Sequence, residues 1–121
     1  MLNLVTGPDG HAAAVLVRGA ELVSGASLWA ERRPDGRCDG PGKVGAALGI
    51  GVAESGSPCF GGGPIVVSPG KPPVIIVAGP RIGIDYAAEP DRLAPWRLAD
   101  GESRQVGRRR GLRPAMGPTG A

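Results

Sequence analysis

Aromatic residues are nearly missing from this chain: two Trp, one Tyr and one Phe make up 3% of its 121 residues. Large rings dominate the energetics of most cores, so any core here is aliphatic and thin. Cysteine is as scarce. Cys38 and Cys59 are too few for a disulfide scaffold and lack the second pair that a tetrahedral zinc site needs, so both are expected as free thiols, with no metal. The longest apolar run near the middle, Val74-Ile75-Ile76-Val77-Ala78, is far short of the ~20 residues a bilayer span requires, which argues against a membrane partner. The N-terminus lacks a basic stretch, and Pro8 and Asp9 interrupt its apolar part. A secretory signal is therefore not expected, and the cytoplasm is. With one histidine, no Gly-x-Ser-x-Gly elbow and no Walker loop, spacing alone assembles no catalytic constellation.

What the chain has in abundance is Gly and Pro, 22 and 13 respectively, together roughly 29% of the residues and at the edge of compositions that order poorly. Leu, Ile, Val and Phe amount to roughly 22%, just above the level at which apolar burial fails to offset chain entropy. One small domain is the most such a chain builds. The net charge of +3 is unevenly placed, since all 11 acidic residues precede position 104. Residues 1–103 hold nine Lys plus Arg and are net −2, whereas residues 104–121 hold five Arg and are net +5. A body at −2 generates no global field for an anionic polymer, so nucleic-acid contact there must be local. The excess of Arg over Lys, 12 to 2, suits bidentate phosphate binding; codon usage rich in Ala, Gly, Pro and Arg explains it equally.

Along the chain, residues 2–5 and 12–22 read as strands around the turn Gly7-Pro8-Asp9-Gly10, because aliphatic and β-branched residues flank a cluster that continues neither ladder. Val15 and Val17 then point one way, Leu16 and Arg18 the other. Arg18 ends an apolar stripe, either snorkelling to water or holding a water or a phosphate in a pocket. Ser24 or Ser27 is expected to cap a helix over residues 26–33, ended by Pro34 and Gly36. Pro41 opens a second helix with Val44, Ala47 and Leu48 on its buried face. Gly45 and Gly49 share a face that admits another backbone, at about 1 kcal/mol each relative to Ala. Residues 54–63 read as loop, 64–68 and 74–78 as strands, 81–84 as renewed alternation, 89–94 as polar linker and 95–98 as a last edge strand. Beyond Gly101 no periodicity is visible, and the tail over residues 104–121 is expected to be disordered.

Few side chains stand out chemically. His11 reads as a solvated loop residue, Gly61-Gly62-Gly63-Pro64 as a flexible loop without dinucleotide-binding spacing, and Asp85 and Glu89 as surface charge rather than an acid/base pair. More informative is Gly40-Pro41-Gly42-Lys43 at the mouth of a helix, where free N–H groups and the helix dipole favour an anion and Lys43 adds a point charge. A plain helix start is the alternative.

Four segments, taken in order, carry a resemblance: Leu2-Asn3-Leu4-Val5-Thr6-Gly7-Pro8, Ala14-Val15-Leu16-Val17-Arg18, Gly40-Pro41-Gly42-Lys43-Val44 on to Ala47-Leu48-Gly49-Ile50, and Gly79-Pro80-Arg81-Ile82-Gly83-Ile84 on to Pro95-Trp96-Arg97. Over residues 2–103 the chain resembles the methylpurine, or 3-methyladenine, DNA glycosylase family. The resemblance implies a mixed α/β (α+β) domain, a mostly antiparallel sheet flanked by short helices, occupying residues 1–103 and incomplete at its N-terminus. It implies a monomer that bends double-stranded DNA, flips an alkylated purine into a pocket and hydrolyses its N-glycosidic bond without metal or cofactor. By position, Asn3 corresponds to the residue touching the minor-groove edge of the base and disfavouring guanine. Arg18 corresponds to the arginine beside the nucleophilic water, and Ile84 to the residue whose carbonyl orients that water. Lys43, with the backbone of Gly40 and Gly42, falls where the family grips the DNA backbone.

The water-activating glutamate, the base-sandwiching aromatics and the wedging tyrosine precede this stretch in the family and have no counterpart here. The chain is thus read as the C-terminal part of such a glycosylase, and base excision by it alone is not expected. An inert remnant whose DNA affinity lies in the Arg-rich tail is the alternative; a small unrelated α/β interaction domain is a third.

Overall fold

The structure, a computed structural model, describes residues 1–115. These divide into two compact units, one over residues 1–69 and the other beginning at Gly70.

In the first unit β1 (Asn3–Val5) and β2 (Ala14–Leu16) form an antiparallel hairpin, with Asn3 opposite Leu16, Leu4 opposite Val15 and Val5 opposite Ala14. The ladder runs on by one bond at each end, Thr6 N–H to the Ala13 carbonyl and Val17 N–H to the Leu2 carbonyl, each at 3.0 Å. Gly7 and Gly10, at φ +84° and +85°, make the reversal in a conformation only glycine adopts freely. The second strand is shorter than the 12–22 expected, because β1 offers no partner past Leu2. Ala20 N–H instead meets the Cys38 carbonyl at 3.1 Å.

α1 (Ala26–Arg32) starts without a side-chain cap, a correction to the expected serine. Gly25 holds the N-cap in a left-handed conformation at φ +87°, so Ser24 lies one residue too early and Ser27 already inside the helix. α2 (Pro41–Leu48) has the expected Pro in its first turn and ends at Gly49, φ +67°. There Gly49 N–H returns to the Ala46 carbonyl and Ile50 N–H to the Gly45 carbonyl, both at 3.1 Å, the paired bonds of a Schellman ending. Val44 is wholly buried with Cys38 and Ala47, and Leu2, Val17, Ala20 and Trp29 pack around them. Leu48, expected in that face, is 43% exposed. The buried face is turned instead toward Gly45, where the Met1 backbone approaches to within 3.7 Å of an added Cβ. A 3₁₀ turn follows at Val52–Glu54. Residues 64–68 form no strand: Ile65, Val66 and Val67 have the right side chains, but glycines before them and Pro69 after leave Val67 N–H one loop bond, to the Cys59 carbonyl at 2.8 Å.

The second unit is a three-stranded antiparallel sheet in the order β4-β3-β5, with β3 (Ile76–Gly79) central, β4 (Arg97–Asp100) on one edge and β5 (Arg113–Pro114) on the other. The expected edge strand is there, displaced by two residues so that Pro95 stays outside the ladder, which it cannot join as a donor. Residues 89–94, read as linker, contain a short helix, α3 (Glu89–Leu93), whose first turn carries Glu89 and Asp91, charges that suit a helix N-terminus. β5 lies within the segment that showed no periodicity, and residues 116–121 of the expected disordered tail lie outside the described residues. Antiparallel sheets with short helices make the fold mixed α+β.

Candidate functional site

The hairpin register decides where Asn3 and Arg18 project. Residues directly opposite in an antiparallel pair share a face, and side chains alternate along each strand. Asn3 faces Leu16, and strand alternation carried two residues past the end of β2 puts Arg18 on the same side of the hairpin as Asn3. Leu2 and Val17, on the other side, pack against the core of Cys38, Val44 and Ala47. Asn3 is exposed and Arg18 half-buried. Among the described residues the Arg18 guanidinium makes no hydrogen bond or ion pair, although its five donors leave it ready for an acceptor from outside.

The bond from Ala20 to Cys38 ties the strand leaving Arg18 to the segment entering α2. Gly40 is extended there, at φ −164°, with no side chain capping the helix. Pro41 has no N–H, and the first intrahelical bond is Val44 N–H to the Gly40 carbonyl at 3.0 Å. The N–H groups of Gly42 and Lys43 thus stand at the positive end of the helix. Lys43 is not a lone cation, however. Its Nζ is 2.7 Å from Asp39 Oδ1, and Arg37 reaches the other oxygen at 3.2 Å. The Lys43 hydrogen bond, reinforced by Arg37 and opposed by partial burial, holds the Asp39 carboxyl below its ordinary pKa. An anion at this helix mouth meets a Lys43 ammonium whose charge is already shared with Asp39.

Ile84 belongs to the second unit, and its carbonyl accepts the Ala87 N–H at 2.8 Å, leaving one lone pair for another donor. Asp85 and Glu89 are both exposed, Glu89 in the first turn of α3. His11 is exposed beside Gly7. Among the described residues neither Cys38 nor Cys59 forms a disulfide, and burial raises the Cys38 thiol above its ordinary pKa, which makes it a poor nucleophile. Among the described residues no three His, Cys, Asp or Glu side chains gather as metal ligands, and no helix is long and apolar enough to cross a membrane.

Arg97 is the residue that sequence reasoning passed over. It is 7% exposed. Its Nε donates to the Pro80 carbonyl at 2.9 Å, Nη1 to the Arg108 carbonyl at 2.8 Å and Nη2 to the Arg110 carbonyl at 3.2 Å. The only trace in the sequence is its place in the Pro95-Trp96-Arg97 segment. Beside it, the Arg81 guanidinium lies 4.9 Å from the centroid of the exposed Trp96 ring.

A family model described as methylpurine-DNA glycosylase matches residues 1–104. A protein of Nitrosococcus oceani, provisionally named 3-methyladenine DNA glycosylase, is 46% identical over 118 residues, covering 94% of this chain and 59% of its own length. One of the same name from Methanocella arvoryzae is 42% identical over 113 residues, covering 89% and 56%. The DNA-3-methyladenine glycosylase of Arabidopsis thaliana is 40% identical over 105 residues, covering 82% and 41%. The chain spans about half the length of the curated relatives it matches. No solved structure matches it significantly.

Proposed function

The chain belongs to the methylpurine-DNA glycosylase family, and on that premise we propose that it serves DNA repair as the base-recognising and backbone-gripping part of a glycosylase that removes alkylated purines such as 3-methyladenine. The observation that carries this reading is the shared face of Asn3 and Arg18, turned away from the core, with the half-buried Arg18 guanidinium free of any partner among the described residues. Asn3 supplies an amide donor and acceptor to the edge of a flipped purine, against which the exocyclic amine of guanine fits poorly. Arg18 holds the water that adds to the sugar carbon as the C–N bond breaks. Flipping costs a few kcal/mol, least for a lesion that pairs badly, and a grip on the phosphates by the Gly40 and Gly42 backbone with Lys43 offsets part of that cost. The protein acts as a monomer where DNA is, in the cytoplasm or nucleoid.

In the family the water-activating glutamate belongs to the segment preceding Leu2, and base release is proposed to depend on it rather than on Asp85 or Glu89. Base release from methylated duplex DNA is the test, with the chain alone and mixed with the unmatched N-terminal part of the Nitrosococcus relative. Release is expected in the mixture only, and Arg18→Ala should lower it at least tenfold. Turnover by the chain alone that disappears in Asp85→Asn or Glu89→Gln would overturn the assignment.

A further inference from the structure

The Arg-rich segment begins where the family match ends, at residue 104, and its described part is organised by the buried guanidinium of Arg97. That group takes the carbonyls of Arg108 and Arg110, while Leu112 N–H returns to the Arg109 carbonyl at 3.0 Å and Ala115 N–H joins the Ile76 carbonyl at 2.8 Å. Arg109 donates to the Ser103 carbonyl. The backbone is therefore held at several points, and the side chains of Arg108, Arg109, Arg110 and Arg113 are exposed.

Nothing within the described residues neutralises them. The ion pairs there are Arg33 with Asp35, and Asp39 with both Arg37 and Lys43, and none includes an arginine of the tract. Arg108 is moreover the one non-glycine residue at positive φ among the described residues, at +53°, a conformation that disfavours a side chain. Like charges crowded on a fixed backbone repel one another, and a polyanion relieves that repulsion. Consecutive Cα atoms are about 3.8 Å apart, close to the roughly 3.4 Å of helix rise per phosphate along one DNA strand.

We propose that Arg97 fixes the tract of Arg108, Arg109, Arg110 and Arg113 as an ordered basic edge that grips the phosphodiester backbone of duplex DNA, outside the family-matched region and without regard to the lesion. The choice of DNA rests on the glycosylase reading above; the ordered basic edge itself rests on Arg97 and its carbonyls. Such an edge adds a sequence-independent, salt-sensitive term to binding.

The test is fluorescence anisotropy of an undamaged, fluorescein-labelled duplex titrated with the full 121-residue chain over a series of salt concentrations. Replacing Arg108, Arg110 and Arg113 together by Gln is expected to reduce the slope of log K against log salt by about 2.7, at about 0.9 per phosphate, and the triple Lys variant to keep it. Arg97→Lys retains the charge but cannot reach three carbonyls, and is expected to weaken binding severalfold. Should that variant fold poorly, hydrogen exchange on the unaltered chain reads the same order, with the Leu112 and Ala115 amides protected before DNA is added. An unchanged slope in the Gln variant would overturn the proposal while leaving the glycosylase reading in place, and no binding at any salt would overturn both. Fully exchanging Leu112 and Ala115 amides, or tighter binding to an RNA duplex, would also overturn it.

Discussion

Asp39 shows how one carboxylate sets the terms at the mouth of α2. Its pKa is depressed first by the hydrogen bond from Lys43 and then by Arg37, so its contribution to stability is complete above the unfolded-state pKa and is lost as pH falls through the lower folded value. Partly exposed pairs of this kind contribute about 0.2–1 kcal/mol. Asp39→Asn is expected to lower stability by about 0.5 kcal/mol in urea titrations at pH 7, with variant and wild type converging as the pH is taken well below 3.8. A difference that persists in acid would mean the ion pair is not its source. The same substitution frees Lys43 for an incoming phosphate. At this scale the resemblance singled out Asn3, Arg18 and Lys43 as candidates, while neither the Lys43–Asp39 pair nor the role of Arg97 was legible. Arg97 bonds to carbonyls 11 to 17 residues away, and backbone acceptors leave no imprint on a pattern of side chains.

α2 was legible because its ends are punctuated by residues with steric reasons to be there, Pro41 at the start and Gly49 at the close. Gly49 is needed twice over. It sits at φ +67°, and an added Cβ would come within 2.6 Å of the Arg32 guanidinium carbon, on the side chain that donates to the Ala47 carbonyl at 3.1 Å and so joins α1 to α2. Gly49→Ala is expected to cost about 1–2 kcal/mol from the left-handed backbone, together with the loss of that link. Gly42→Ala, in the same helix with open space around it, is expected to be neutral or to stabilise by up to about 1 kcal/mol. Urea midpoints for the two variants check the contrast, and equal losses would contradict it. β5 and α3 were not legible: two residues of strand have no alternation to read, and a single helical turn has no period. The apolar residues 65–67 misled for the opposite reason, since strand propensity without a partner strand builds nothing.

Across the whole chain the thin core inferred from composition is present as such. Among the described residues the buried apolar side chains are Cys38, Val44 and Ala47, whereas Val5, Val23, Val52, Phe60 and Tyr86 are all exposed. A chain with this much uncovered apolar surface is expected to bind the dye ANS in native buffer and to unfold in urea with a shallow slope, at or below about 1 kcal/mol/M. A steep transition near 2 kcal/mol/M without dye binding would contradict that. The charge asymmetry also has a structural counterpart, because the positive segment is partly laid down against β3 rather than left loose. Arg97 holds it through peptide carbonyls, which every amino acid possesses. Its grip is indifferent to which residues occupy positions 108 and 110, so folding alone would accept almost anything there, and at 108 would prefer glycine. Arg108 and Arg110 are therefore passengers of the scaffold rather than parts of it, unlike Arg109, whose side chain donates to the Ser103 carbonyl; they are interchangeable as far as the architecture is concerned and answerable only to whatever they touch.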